Sequence, residues 1–362
     1  MNWETIEFTN EYRRSIKPLC YGQGKYVGTT TNWDIEMCFV VSTDGVNFES
    51  YFVENVKQLF WLEYGNGFYL FGGLDTDGNR IVGRSTNGYD WDIKVEDRIT
   101  SQMRFINGQF LINGWEPNTL LVTKNGIDFE IKKCSFSDTP DTQMAEFLDN
   151  MTYGEGMYVT NYYEADSSYT SYTSHLYYSY DLETWGKIGT APYALRALCF
   201  GGGKFIASGW STKNANGVYE SYICISEDGC VTWEKIVYDP SKSCSSKHLC
   251  YKNGVLVFYS ENNSQDEIVT SFDFINFEKT PSIFSSGDYV IIANRTIIVG
   301  GSSSGYSGKQ MMARIPSSGD SAAYVGIDGE YKPCEVYVAQ DGEWKAAEVY
   351  VAQDGEYKLC GG

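Results

Sequence analysis

Only two histidines occur in 362 residues, and acidic side chains outnumber basic ones by 47 to 28. The first shortage leaves little for imidazole catalysis or a histidine-rich metal site. His175 and His248 stand in separate repeats without acids at ligand spacing. The shortage of positive charge, a formal net charge of −19, argues against nucleic acid or an anionic membrane as partner, since either would repel such a surface. No apolar run reaches membrane-spanning length, and Met1-Asn2-Trp3-Glu4 lacks the charged and apolar regions of a signal peptide, so cytoplasmic synthesis without membrane insertion is expected. Clusters of Ala, Leu and Glu at helical spacing are nearly absent too, which excludes a helical bundle.

What is abundant is aromatic and turn-forming. Phe, Trp and Tyr make up 16% of the chain, and there are 37 glycines. One short stretch, Ser42-Thr43-Asp44-Gly45-Val46-Asn47-Phe48, returns five more times, beginning at Ser85, Thr123, Ser179, Ser226 and Ser271. Each copy has a hydroxyl residue, Asp or Asn two places on, usually Gly next, and a closing aromatic. The Asx side chain accepts hydrogen bonds from its own turn, and Gly takes positive φ without strain. This is the chemistry of a hairpin turn.

A second element accompanies it: Gly22-Gln23-Gly24-Lys25-Tyr26-Val27 and its counterparts at Gly65, Asn107, Gly154, Gly201 and Asn253, with a degenerate seventh at Ala293-Asn294-Arg295-Thr296-Ile297-Ile298. Intervals of about 40 to 50 residues suit one four-stranded propeller blade. The turn motif resembles the Asp-box of sialidases and of many non-enzymatic propellers, which implies an all-β, seven-bladed β-propeller over residues 1–316. The seventh unit has no box of its own. Asn2-Trp3-Glu4-Thr5-Ile6 matches the segment after the box in other units, such as Thr232-Trp233-Glu234-Lys235-Ile236, so the N-terminal strand is expected to complete the last blade and remove an open sheet edge.

Residues 317–323 read as a linker, and 324–362 as a different repeat, with Tyr324, Tyr337 and Tyr350 heading similar Asp-Gly hairpin sequences. Such thin hairpins have little core of their own, so attachment or homo-oligomerisation is their expected role. They resemble the ends of phage and prophage tail or appendage proteins. That resemblance implies a virion location and other virion proteins as partners.

Of the ten cysteines, Cys20, Cys199 and Cys250 recur in one repeat context. They are expected to be buried thiols, far apart in different blades, made in a reducing compartment. Cys224 with Cys230 and Cys244 with Cys250 lack the tight spacing of a zinc knuckle. Asp75-Thr76-Asp77-Gly78-Asn79 has the composition of a weak calcium loop but more simply that of a turn. No metal or cofactor is expected.

The loops opposite the box turns pair flat aromatics with short polar residues, which suits sugar C–H faces and hydroxyls. Trp33, Trp115, Tyr163, Tyr169, Trp210 and Asn214, with Arg104 and Arg196 toward the funnel, are the candidate ligand-binding residues. The reading is a non-enzymatic phage appendage or fibre protein that binds bacterial surface polysaccharide. A sialidase-like glycosidase and a purely structural decoration protein are the alternatives. The first of these needs three arginines around a carboxylate. Only Arg104 and Arg196 qualify, with Lys247 matching Arg196, and Arg314-Ile315-Pro316 echoes a family tripeptide at the wrong end of the domain.

Overall fold

The protein was analysed as a computed structural model. It describes residues 1–7, 16–17, 19–31, 37–116, 118–137, 148, 150–165, 172–191, 195–209, 212–213, 219–240, 244–262, 265–284, 286–302 and 309–315, and the C-terminal strands 323–327, 330–334, 337–340, 343–346, 350–353 and 356–359.

Strand β1 (Trp3–Glu7) opens the chain. Blade one comes next as β2 (Leu19–Gly22), β3 (Lys25–Thr31), β4 (Met37–Ser42) and β5 (Glu49–Tyr51), and blade two as β6 (Val56–Gly65), β7 (Phe68–Asp75), β8 (Arg80–Ser85) and β9 (Asp92–Val95). Blade three is β10 (Ile99–Ile106), β11 (Gln109–Gly114), β12 (Thr119–Thr123) and β13 (Glu130–Lys133). Blade four adds a short parallel edge, β14 (Ser135–Phe136), to β15 (Thr152–Gly154), β16 (Met157–Ala165), β17 (Tyr172–Ser179) and β18 (Thr184–Ala191). Blade five contains β19 (Leu195–Gly201), β20 (Lys204–Gly209), β21 (Thr212–Lys213), β22 (Tyr219–Ser226) and β23 (Glu234–Asp239). Blade six is β24 (Cys244–Lys252), β25 (Val255–Asn262), β26 (Glu267–Ser271) and β27 (Glu278–Pro281). Strands β28 (Ser286–Ala293), β29 (Thr296–Ser302) and β30 (Lys309–Arg314) begin blade seven. The remaining six strands form three two-stranded hairpins: β31 (Ala323–Ile327) with β32 (Glu330–Cys334), β33 (Tyr337–Gln340) with β34 (Glu343–Ala346), and β35 (Tyr350–Gln353) with β36 (Glu356–Leu359).

The seventh blade is closed as the sequence leads one to expect. β1 lies antiparallel to β30, from Trp3 opposite Ala313 to Glu7 opposite Lys309. All-β architecture and seven blades are evident from the sheet order.

The recurring turns share one hydrogen-bond pattern, which at the longer Ser226 turn is shifted by one residue, to the N–H groups of Cys230 and Thr232. In the first, the Ser42 hydroxyl donates to Asp44 Oδ1 at 2.8 Å and accepts from the Gly45 N–H at 2.9 Å, while Asp44 Oδ1 accepts from the N–H groups of Val46 and Asn47 at 2.8 Å each. Asn87 and Asn125 do the same with an amide oxygen. Where Gly is missing, Leu182 and Phe274 still take positive φ, at 67° and 61°. Strain of about 1–2 kcal/mol per such residue is offset by packing. Leu182 is buried between blades, and Phe274 stacks on Tyr251 with ring centroids 5.4 Å apart.

The closing aromatics explain why the ring holds together. Phe48, Trp91, Phe129, Trp185, Trp233 and Phe277 each enter a different hydrophobic cluster between neighbouring blades. Trp3 enters the seventh. Trp185 and Trp233 donate Nε1 to the turn carbonyls of Leu182 and Cys230, both at 3.2 Å. The buried Nε1 of Trp3 has no acceptor among the described residues. Nearer the axis, the inner-strand aromatic of one blade fills the gap left by a glycine of the blade before. A Cβ on Gly65 would lie 2.2 Å from the Phe105 ring, and one on Gly154 would lie 2.2 Å from Phe200.

The turn carboxylates give the fold a defined acid response. N–H groups of Asn276 and Ile275 hold Asp273 down to about 2, those of Thr184 and Glu183 lower Asp181, and the Thr232 hydroxyl and N–H lower Asp228. A carboxyl depressed in the folded state stabilises it above its unfolded value, and that contribution fades as pH falls through the folded value. The turns therefore weaken between about pH 4 and about pH 2. The triple variant Asp181→Asn, Asp228→Asn, Asp273→Asn reproduces the chemistry already present at Asn87 and Asn125. Its melting temperature is expected to fall less steeply than that of the parent across this window, as monitored by circular dichroism.

Candidate functional site

A concavity lies between blades two and three, on the face opposite the recurring turns. Three segments build it: the β7–β8 loop with the start of β8 (Gly78, Asn79, Arg80), the connection from blade two to blade three (Asp97, Arg98), and the end of blade three's β11–β12 loop (Trp115, Glu116, Thr119). Leu121 and Ile131 supply an apolar wall to a cavity of about 510 Å³. That volume is in the range of small-molecule sites.

Trp115 dominates it. The indole is 67% exposed, although its backbone N–H is fixed to the Arg98 carbonyl at 2.9 Å. The Arg80 guanidinium lies over one ring face, 4.7 Å from the centroid, and also faces Phe60 at 5.9 Å. Arg80 further donates Nη1 to the Ile99 carbonyl. One face of the indole is thus covered by a pinned cation and the rest stands open, a rigid platform for stacking. Beside it, Arg98 grips Glu96 with Nε and Nη2 at 2.6 and 2.8 Å. That fork holds the Glu96 carboxyl below its ordinary value against the opposing effect of its burial. Asp97 and Glu116 bring exposed carboxylates to the rim.

Asp75, at the far end of the same loop, accepts the Asn79 N–H at 2.7 Å and the Asn79 side-chain amide at 2.8 Å. Those bonds lower its carboxyl and occupy both oxygens, the arrangement of an ordinary turn rather than a calcium loop. No group of three or more metal-ligating side chains occurs among the described residues.

Of the expected ligand-binding residues, Trp115 is the one the structure places in this cleft. Trp33, Tyr169, Trp210 and Asn214 lie outside the described residues. Tyr163 belongs to β16, where it pairs with Ser174. Arg104 and Arg196 sit within inner strands rather than ahead of them, and at different levels. Arg104 pairs with Leu111, whereas Arg196 occupies an irregularity between Leu195 and Ala197. Cys199, not Arg196, is blade five's counterpart of Arg104.

That level forms a second cluster, on the central channel. Burial is the main influence on Cys250 of blade six, with smaller electrostatic effects from Lys252 of its own strand, Arg104 of blade three and Glu63 of blade two. Burial pushes Glu63 above its ordinary value despite the pull of Arg104 and Lys252. The cysteines depart from the sequence expectation here. Cys199 and Cys250 are neighbours across a blade boundary rather than far apart, because the innermost strands of a propeller all approach one axis. Burial raises Cys20 and Cys199 and lifts Cys250 to about 11, which favours the protonated thiol; Cys20 is buried, whereas Cys199 and Cys250 are half-buried.

Arg80, Asp97 and Arg98 were missed in the sequence, whereas Glu116 falls in a loop that the sequence marks beside Trp115. The available signal was Glu96-Asp97-Arg98, a charge cluster in a connection between two strands, where a solvated turn needs no such pairing.

No family model matches the chain, and no curated protein matches it. Similarity appears in solved structures. The β-propeller domain of the trilobed protease from Pyrococcus furiosus, described as having an open velcro topology, aligns with 10% identity over 84% of this chain and 99% of its own, at a TM-score of 0.53. A puromycin hydrolase variant aligns with 8% identity over 93% of this chain and 58% of its own, at 0.57. The phage phi92 endosialidase aligns with 10% identity over 99% of this chain and 75% of its own, at 0.45. At such identities the likenesses show the fold alone: the chain is a seven-bladed β-propeller.

Proposed function

We propose that this chain is a non-enzymatic binding module of a phage virion, an appendage or fibre component that holds bacterial surface glycan at the Trp115 cleft. The observation that carries the reading is Trp115 itself, 67% exposed at the lip of a cavity of about 510 Å³, with Arg80 laid against one face. A large exposed indole costs solvation unless something covers it, and a rigid aromatic beside mixed donors and acceptors suits a sugar ring.

The path of the chain agrees with a role between two surfaces. Ile315 leaves blade seven beside the β28–β29 turn, where its N–H bonds the Arg295 carbonyl at 2.8 Å. That is the recurring-turn face, opposite the face of Trp115. The C-terminal hairpins would attach to other virion proteins, or to further copies of the chain, from that side.

Asp97 and Glu116 give the glycosidase alternative its one specific observation, since hydrolysis uses a pair of carboxylates flanking the bond. A glycosidase sequesters its acid from solvent, whereas both of these carboxyls are exposed. Binding is therefore favoured over cleavage.

The test is retention of the full chain on a panel of bacterial surface polysaccharides, with reducing ends assayed in the same samples. Trp115→Ala is expected to weaken retention about tenfold or more while the melting temperature changes little, since the indole is largely outside the core. Product release that is lost in Asp97→Asn would instead establish the glycosidase.

A further inference from the structure

We infer that the Trp115 cleft is built for an uncharged, polyhydroxylated sugar ring rather than an acidic or amino sugar; this rests on the glycan reading of the same cleft. The inference comes from how the charges around the indole are already committed. Arg98 spends its fork on Glu96, at 2.6 and 2.8 Å, so the pair is neutral and held in place. Arg80 is flattened against Trp115 and Phe60 and donates to the Ile99 carbonyl. Arg98 has no fork left for a carboxylate, and Arg80, with its planar face on the rings and Nη1 on the Ile99 carbonyl, keeps only its Nε–Nη2 edge.

The remaining charges at the rim are Asp97 and Glu116. Counted together, two arginines meet three carboxylates, Glu96 included. An incoming carboxylate would enter a cleft that holds one carboxylate more than it has arginines, on a chain already at −19. An incoming ammonium would instead meet Arg80 beside the stacking surface. A neutral ring suffers neither repulsion. Its hydroxyls can donate to Asp97 and Glu116 and accept from the N–H groups that Arg98 has left over, while its C–H face lies on the indole.

The experiment uses the full chain in affinity electrophoresis through gels containing dextran, mannan or galactan as neutral probes, polygalacturonate or polysialate as acidic ones, and chitosan as the cationic one. Retention is expected with a neutral polymer, and its apparent Kd should move less than about twofold between about 0.05 M and 0.5 M salt, since no ion pair is formed. The double variant Asp97→Lys, Glu116→Lys is expected to gain retention by an acidic polymer, by about tenfold, as the repelling charges reverse. Preference of the parent chain for an acidic or cationic polymer, lost in Trp115→Ala and at high salt, would overturn this inference and leave the glycan reading standing. Retention that Trp115→Ala does not alter, or no retention by any polymer, would overturn the glycan reading and this inference with it.

Discussion

Deletion of residues 1–7 is expected to abolish cooperative folding of the propeller. β1 supplies the outer strand of blade seven through five register pairs with β30, and its loss leaves Lys309–Arg314 as an open edge. The same deletion strips Met1 and Trp3 from the cluster between blades six and seven, which contains Tyr259, Ile297 and Val299. Removing the half-buried Trp3 costs somewhat less than the about 3–5 kcal/mol of a fully buried Trp, and several ladder hydrogen bonds add about 1 kcal/mol each. The sum is comparable with the whole stability of a domain. Size-exclusion chromatography and thermal melts of the truncated chain should show aggregation or a broad, weak transition. A sharp transition within a few degrees of the parent would mean that the ring does not depend on this strand. Trp3→Phe is the informative control. It keeps a ring in the cluster and removes the one indole N–H in this series that has no acceptor, so its stability should stay close to that of the parent.

Trp185→Ala is expected to be the most costly single substitution, about 3–5 kcal/mol. Trp185 is 1% exposed, and it touches both sides of the boundary between blades three and four. Phe136 stacks on it at 5.5 Å, and its Nε1 bonds the Leu182 carbonyl, itself part of a turn strained by positive φ. Truncation thus opens a cavity and leaves that carbonyl with the Cys134 thiol, at 3.1 Å, as its donor. Urea titration should show a lower midpoint with an unchanged slope, the sign of lost stability rather than of altered compactness. Phe48→Ala at the equivalent place in blade one should cost less, because Phe48 is already partly exposed.

The fold could be read from the sequence because its determinants are local. A hydroxyl, an Asx residue and a glycine within four positions specify their own hydrogen bonds, so six turns could be counted before any contact was known. The closing strand was legible for the same reason, since Trp3-Glu4 repeats the aromatic and acid that succeed the turn at Trp233-Glu234. The cleft was legible only in part, through Trp115 and the loops at 74–79 and 115–118. It is assembled from three segments of two blades, and Arg80 gains its role only because β8 of one blade starts beside the β11–β12 loop of the next. The convergence of Cys199 and Cys250 was hidden likewise. Residues about fifty positions apart meet only because successive blades turn about one axis.

The place of β30 has a mechanical consequence. Any load carried down the chain beyond Ile315, while the opposite face is held, enters the disc along β30. That strand is not at the edge of its blade. It is clamped between β29 and β1, with five register pairs on each side, all running along the direction of pull. Tension would therefore shear two rows of hydrogen bonds together instead of unzipping one row bond by bond. A disc tethered in this way would resist being torn open by its own tail.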